Sequence, residues 1–194
     1  MPRRAKFILK MEESGGFLEI VERKQAKTAQ KGRLVGQLWI YEFSKARIVC
    51  IGPDWPYAVV TFALIACIAG LYALAVMPST PAALQPFSWL FVVPLPLSYL
   101  CLFLSNPGVP DVLLQGDLAS ADCPSCGAPS HPGRQHCSVC AVCIDGFDHH
   151  CPFAGKCIGE GNKRVFVCFV GSLYAAVLGV VLWGIFVAEH PKGR

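Results

Sequence analysis

The chain has 194 residues, of which 54% are hydrophobic and only 15% charged, with a net charge of +4 and a mean hydropathy of +0.47. Soluble domains carry nearer a quarter charged residues, so the composition excludes an ordinary water-soluble globular domain. No Asp, Glu, Lys or Arg occurs between Asp54 and Asp111 or between Arg164 and Glu189, and uncharged runs of that length mark transmembrane helices.

Residues 1–56 read as a cytosolic basic N-terminal region, with eleven Lys or Arg against six acids. Beside a membrane span, such a region meets the anionic cytoplasmic leaflet, at about 1 kcal/mol per basic residue; nucleic acid is not an expected partner. Lys6–Met11, Phe17–Val21 and Leu34–Tyr41 each have the pattern of a short strand. Trp39, Tyr41 and Phe43, followed by Lys45 and Arg47, resemble an interfacial anchor. No apolar segment follows the basic start, so no signal peptide is read.

Residues 57–77 are apolar throughout and long enough to span, since about 20 residues suffice. Ala66 and Gly70 offer a small-residue contact to a neighbouring helix. Residues 87–104 form a second span, which Pro94 and Pro96 should kink. Asn106-Pro107-Gly108-Val109-Pro110 is a stop and turn. Residues 106–164 are the polar segment between spans, with few apolar residues (Leu113, Leu114, Leu118, Val142, Ile144, Phe147 and Phe153 among them). A segment so small needs staples to hold a core. Residues 165–187 form the third span, with Gly171, Ala175 and Gly179 along one face, and residues 188–194 a short tail. The basic N-terminus places itself in the cytosol; two spans later, residues 106–164 return to the same side, where thiols stay reduced and a disulfide framework is disfavoured.

Cys123 to Cys157 holds seven cysteines and four histidines. Repeated Cys-x-x-Cys pairs signal zinc, because two thiolates three apart on a tight turn reach one tetrahedral ion. His131 fits no spacing. The remaining candidates are Cys123, Cys126, His136, Cys137, Cys140, Cys143, His149, His150, Cys151 and Cys157, two more than two zinc sites require. Spacing alone does not say which two are surplus. In extended backbone His149 and Cys151 share one face and His150 takes the other, which leaves His149 and Cys151 free to act as base and thiolate nucleophile. Pairing Asp148 with His149 needs a turn that alternation does not supply. The alternative is that Cys151 is a spare or metal-bound thiol.

At Cys123-Pro124-x-Cys126, Arg134-x-His136-Cys137-x-x-Cys140-x-x-Cys143, Asp148-His149-His150-Cys151-Pro152 and Cys157-Ile158-Gly159-x-x-Asn162, the sequence resembles the DHHC protein S-acyltransferases (palmitoyltransferases). The resemblance implies one zinc on Cys123, Cys126, His136 and Cys143, and a second on Cys137, Cys140, His150 and Cys157, both structural. It implies Cys151 as nucleophile, His149 as its base and Asp148 as the residue orienting that base. It further implies fatty acyl-CoA (palmitoyl-CoA) as donor, an acyl-enzyme, and transfer to substrate proteins with membrane-proximal cysteines. The expected architecture is an α-helical integral membrane protein with three transmembrane helices and a cytosolic cysteine-rich zinc domain of short strands and loops. It is placed in the endomembrane system, with Golgi or ER favoured, or the plasma membrane. Lys156, Lys163 and Arg164 are candidates to meet the CoA phosphates, or are ordinary basic residues on the cytosolic side of a span. Phe153 stands where the family has Trp, Lys156 where it has Asn, and Asn106 where it has Asp. The family has four spans and a Thr-Thr-x-Glu motif, and three spans are read here. This leaves a second reading, a truncated, catalytically inactive, zinc-stabilised membrane adaptor. A RING-like scaffold is a more distant third, which leaves His149 and Cys151 unexplained.

Overall fold

The computed structural model describes residues 32–44, 47–82, 85–115 and 122–189. The strands expected at Lys6–Met11 and Phe17–Val21, and Lys45, Leu118 and most of the tail, lie outside them.

The chain opens with an antiparallel sheet of three strands in the order β1 (Arg33–Val35), β2 (Leu38–Ser44) and β3 (Arg47–Ile51). The single strand expected over Leu34–Tyr41 is instead a hairpin, with Leu34 opposite Trp39. Gly36 breaks it: its φ of 58° is left-handed, and any side chain there would strike the Cys140 and Ala141 carbonyls, so a tight turn forms where only glycine fits. Alternation along β2 sends Leu38 and Ile40 inward and Trp39 and Tyr41 outward.

Three helices are long and apolar enough to cross a membrane: Trp55–Ser79, Gln85–Leu104 and Lys163–Phe186. The first begins as α1 (Trp55–Leu71), loosens into a π segment at Tyr72–Val76 and ends in a 3-10 turn at Met77–Ser79. The second breaks at Val93 into α2 (Gln85–Val92) and α3 (Pro94–Leu104). The break lies at the first proline, as expected; both prolines then sit in the opening turn of α3, where a missing N–H is not needed. After α3, the Asn106 side-chain oxygen accepts the N–H groups of Gly108 and Val109, each at 3.0 Å, and turns the chain into the short α4 (Asp111–Gln115). The third helix is α5 (Lys163–Glu189).

Between α4 and α5 lie two small hairpins, β4 (Gln135–Cys137) with β5 (Val142–Ile144), and β6 (His149–Cys151) with β7 (Lys156–Ile158). Their core is shared with the N-terminal sheet. Leu38, Ile40 and Cys50 are buried in one cluster with Leu113, Leu114, Val142, Ile144 and the thiols of Cys137, Cys140, Cys143 and Cys157. The Gln37 N–H also donates to the Cys140 carbonyl at 2.7 Å. Leu38, Ile40 and Cys50 of the N-terminal sheet therefore supply apolar surface that the cysteine-rich segment lacks.

The helices meet beneath this layer around Tyr99 of α3, which packs with Ala58 and Ile65 of α1 and Phe169 of α5. Its ring stacks on Phe62 at 6.0 Å and meets Phe169 edge-on at 5.3 Å. Its hydroxyl lies 2.7 Å from the Ala58 carbonyl and 2.6 Å from the Phe153 carbonyl, so it ties α1 to the turn after Cys151. Ser98 and Ser172 join α3 to α5 through a 2.7 Å hydroxyl contact. At Gly70 and Gly171, two of the residues in the expected small-residue seams, nothing stands within 4 Å of where a Cβ would sit.

Candidate active site and metal centres

The two hairpins interleave two groups of metal-ligand side chains. In β4–β5, His136 is directly opposite Cys143; in β6–β7, His150 is directly opposite Cys157. Each pair therefore presents a nitrogen and a sulfur on one face. Two tight turns complete the sets. One returns the Gly127 N–H to the Cys123 carbonyl at 2.8 Å and carries Cys123 and Cys126. The other brings the Cys140 N–H to 3.4 Å from the Cys137 sulfur. Because neighbours on a strand face opposite ways, His136 serves one group and Cys137 the other. Arg134 braces the first group, reaching Asp145 at 2.5 Å and the Pro129 carbonyl at 2.7 Å.

The ligand atoms of Cys123, Cys126, His136 and Cys143 all lie within 4.8 Å of one another, and so do those of Cys137, Cys140, His150 and Cys157. In the second group the His150 Nδ1 is 3.5, 3.4 and 3.5 Å from the sulfurs of Cys137, Cys140 and Cys157. A tetrahedral zinc with Zn–S near 2.3 Å and Zn–N near 2.0 Å has N···S edges of about 3.5 Å. The donor set and its spacing therefore fit that ion. Four protein donors would fill each centre and leave no open position for water, which suits a structural metal.

His149 and Cys151 fall in neither group. They share β6 and face away from His150. Cys151 is half-buried against an apolar cluster of Leu102 at the end of α3, Ala154, Ile158, and Val165, Phe166 and Phe169 at the start of α5. The His149 ring meets Phe166 edge-on at 5.5 Å, so Phe166 touches both the imidazole and the surroundings of the thiol. Asp148 approaches His149 with 3.6 Å between carboxylate oxygen and Nδ1, and its other oxygen pairs with Lys163 at 3.0 Å. That ammonium holds the Asp148 carboxyl below its ordinary range. The turn that alternation could not supply is the loop ahead of β6, where the Asp148 N–H donates to the Ile158 carbonyl at 2.9 Å.

Of the three cations offered for CoA phosphates, Lys156 is not free to serve. It is 0% exposed, and its ammonium donates to the carbonyls of Cys50, Phe103 and Ser105. It thereby joins the N-terminal sheet, the end of α3 and the strand opposite Cys151. Burial pushes its pKa down to about 7, while three carbonyl partners favour the ammonium. A carbonyl at a helix end also welcomes a cation. Lys156→Met should strand three carbonyl groups, each costing about 1–3 kcal/mol, and is expected to lower the thermal midpoint of the detergent-solubilised protein by many degrees. Lys163 is committed to Asp148, and Arg164 is exposed.

Asp54, Tyr99, Phe166 and the N-terminal sheet were not among the residues singled out for the site. Only Asp54 left a signal, as an isolated acid at the mouth of a span. Its carboxylate stands 2.9 Å from the His150 Nε2. The thiol of Cys50, raised to about 11 by burial, is an inert core group.

Residues 119–193 match the family model described as DHHC palmitoyltransferase. Palmitoyltransferase ZDHHC8 of Homo sapiens is 44% identical over 72 residues, covering 37% of this chain and 9% of that protein. Palmitoyltransferase ZDHHC5-A of Danio rerio is 44% identical over 71 residues, 36% of this chain and 10% of that protein. ZDHHC5 of Mus musculus is 44% identical over 69 residues, again 10% of its length. The matched stretch thus spans about a tenth of these curated relatives.

Proposed function

We propose, from the match of residues 119–193 to the DHHC palmitoyltransferase family model, that the protein is a membrane-embedded protein S-acyltransferase working through an acyl-enzyme on Cys151. The observation that carries this reading is the position of Cys151. It is outside both groups of metal ligands, on the same strand as His149, and against the apolar cluster where α3 and α5 meet.

The residues then divide the work. Cys123, Cys126, His136 and Cys143 would hold one zinc, joining the Cys123–Cys126 turn to the β4–β5 hairpin, and Cys137, Cys140, His150 and Cys157 the other, joining that hairpin to the one that presents Cys151. His149 takes the Cys151 thiol proton. The thiolate attacks the carbonyl carbon of a fatty acyl-CoA, a new thioester forms on Cys151, and the CoA thiolate leaves with the proton from His149. In the second step a cysteine thiol of a substrate protein gives its proton to His149 and attacks the acyl-enzyme. The acyl group moves to the substrate, and Cys151 recovers its thiol. Asp148, itself held by Lys163, orients the His149 ring. The acyl tail lies among the spans, where each buried methylene contributes about 0.8 kcal/mol. The cysteine-rich segment faces the cytosol, the side on which acyl-CoA and reduced substrate thiols are found.

The test is incubation of the purified protein in lipid nanodiscs with radiolabelled palmitoyl-CoA. The expected result is a label on the polypeptide that neutral hydroxylamine removes and that peptide mapping places on Cys151. A protein with two zinc ions and no label would instead favour the adaptor.

A further inference from the structure

We propose that Asp54 is a positioning residue for the Cys151 hairpin: its carboxylate, at the head of the first span, receives the Nε2–H of His150 and locks that ring toward the second metal group. The inference rests on the acyltransferase reading for its consequence, but its geometry stands apart from it.

Asp54 occupies the N-cap position of α1, where an aspartate ordinarily accepts a backbone N–H of the first turn. Here its side chain makes no such hydrogen bond. The carboxylate turns instead across 96 positions of sequence to His150, 2.9 Å away. The other ring nitrogen, Nδ1, faces three sulfurs at 3.4–3.5 Å. A histidine that binds a metal through Nδ1 must carry its proton on Nε2, and a carboxylate on that proton fixes both tautomer and ring orientation.

The backbone around this contact is built for close approach. The Asp54 N–H donates to the Gly155 carbonyl at 3.3 Å. Gly155 has φ 77°, and a Cβ there would lie 3.1 Å from the Ala58 Cβ and 3.4 Å from the Trp55 Cα. A Cβ on Gly52 would collide with the Gly155 carbonyl and Lys156. Two glycines thus let the first turn of α1 lie directly on the turn between β6 and β7. Cys151 follows His150 immediately, so the height of its sulfur over the apolar cluster depends on how this turn is held. Through Asp54 that height is set by the first membrane span.

Three substitutions separate this role from helix capping. Asp54→Asn keeps an oxygen that can accept from His150. Asp54→Ser keeps a good helix cap but is too short to reach the ring. Asp54→Ala removes both. In full-length protein in nanodiscs, metal release to a chromogenic chelator should resolve two ions. The expected result is that Asn stays close to wild type. Ser and Ala should release one ion roughly 10- to 100-fold faster, with the other unchanged. Acyl-enzyme formation should fall in the same order. If Ser matches wild type, or if all three variants loosen both ions equally, Asp54 is only a helix terminus and the proposal fails. The release measurement needs no acyl-CoA, so an inactive wild-type protein would overturn the acyltransferase reading while leaving this comparison intact.

Discussion

Cys151→Ser is expected to abolish the thioester-linked acyl label and leave two zinc ions per chain. The separation follows from geometry. Cys151 belongs to neither ligand group, and it is neither a core residue nor fully exposed, being half-buried at the edge of the Leu102–Ala154–Ile158 cluster. Exchanging sulfur for oxygen there alters little volume and removes no metal donor. It does remove the thiolate, and a serine hydroxyl, far less acidic than a thiol, is a far weaker nucleophile at neutral pH. The label should therefore drop to background, while thermal stability changes by less than about 1 kcal/mol, the range of a substitution away from core and ligands. Loss of zinc on this substitution would mean that the sulfur serves the metal.

Cys157→Ser should do the reverse, disabling the protein through structure. Cys157 is completely buried. It stands opposite His150 in the hairpin, and its sulfur is 3.4 Å from that of Cys140. Apparent binding energies of structural zinc are about 10–16 kcal/mol in small domains that fold around it, so weakening one centre threatens the whole hairpin. The expected outcome is one zinc ion retained on Cys123, Cys126, His136 and Cys143, rapid proteolysis around the β6–β7 hairpin, and no acyl label. Metal analysis with limited proteolysis reads all of this. The contrast between Cys151 and Cys157 matters more than either result alone, since both replace one thiol in the same hairpin.

What the sequence allowed one to read was governed by range. The three long apolar helices announce themselves through uncharged runs, and Pro94 announces the break in the second; both are local properties. Spacing left ten metal-ligand candidates, and the eight that the resemblance implied fall into two groups in space because a hairpin pairs residues at short separation. His149 and Cys151 stand apart from them for the same reason, the two-residue period of a strand. The failures were long-range. Nothing local in Leu38, Ile40 or Cys50 says that they roof a cluster of cysteines about a hundred positions on. Lys156 looked like a cation for phosphates because a buried ammonium is exceptional; only the fold supplies its carbonyl partners from β3 and the end of α3. Gly36 and Gly155 were equally silent, since the need for a left-handed glycine shows only once the opposing backbone is in place.

The central claim is that one thiol in a metal-stapled hairpin is free to carry an acyl chain. Native mass spectrometry of the zinc-loaded protein after brief exposure to palmitoyl-CoA tests it most directly. The expected species bears one acyl group on Cys151 with both zinc ions still bound. Acylation that appears only as a zinc ion departs, or that maps to Cys137, Cys140, Cys157 or another ligand, would contradict it.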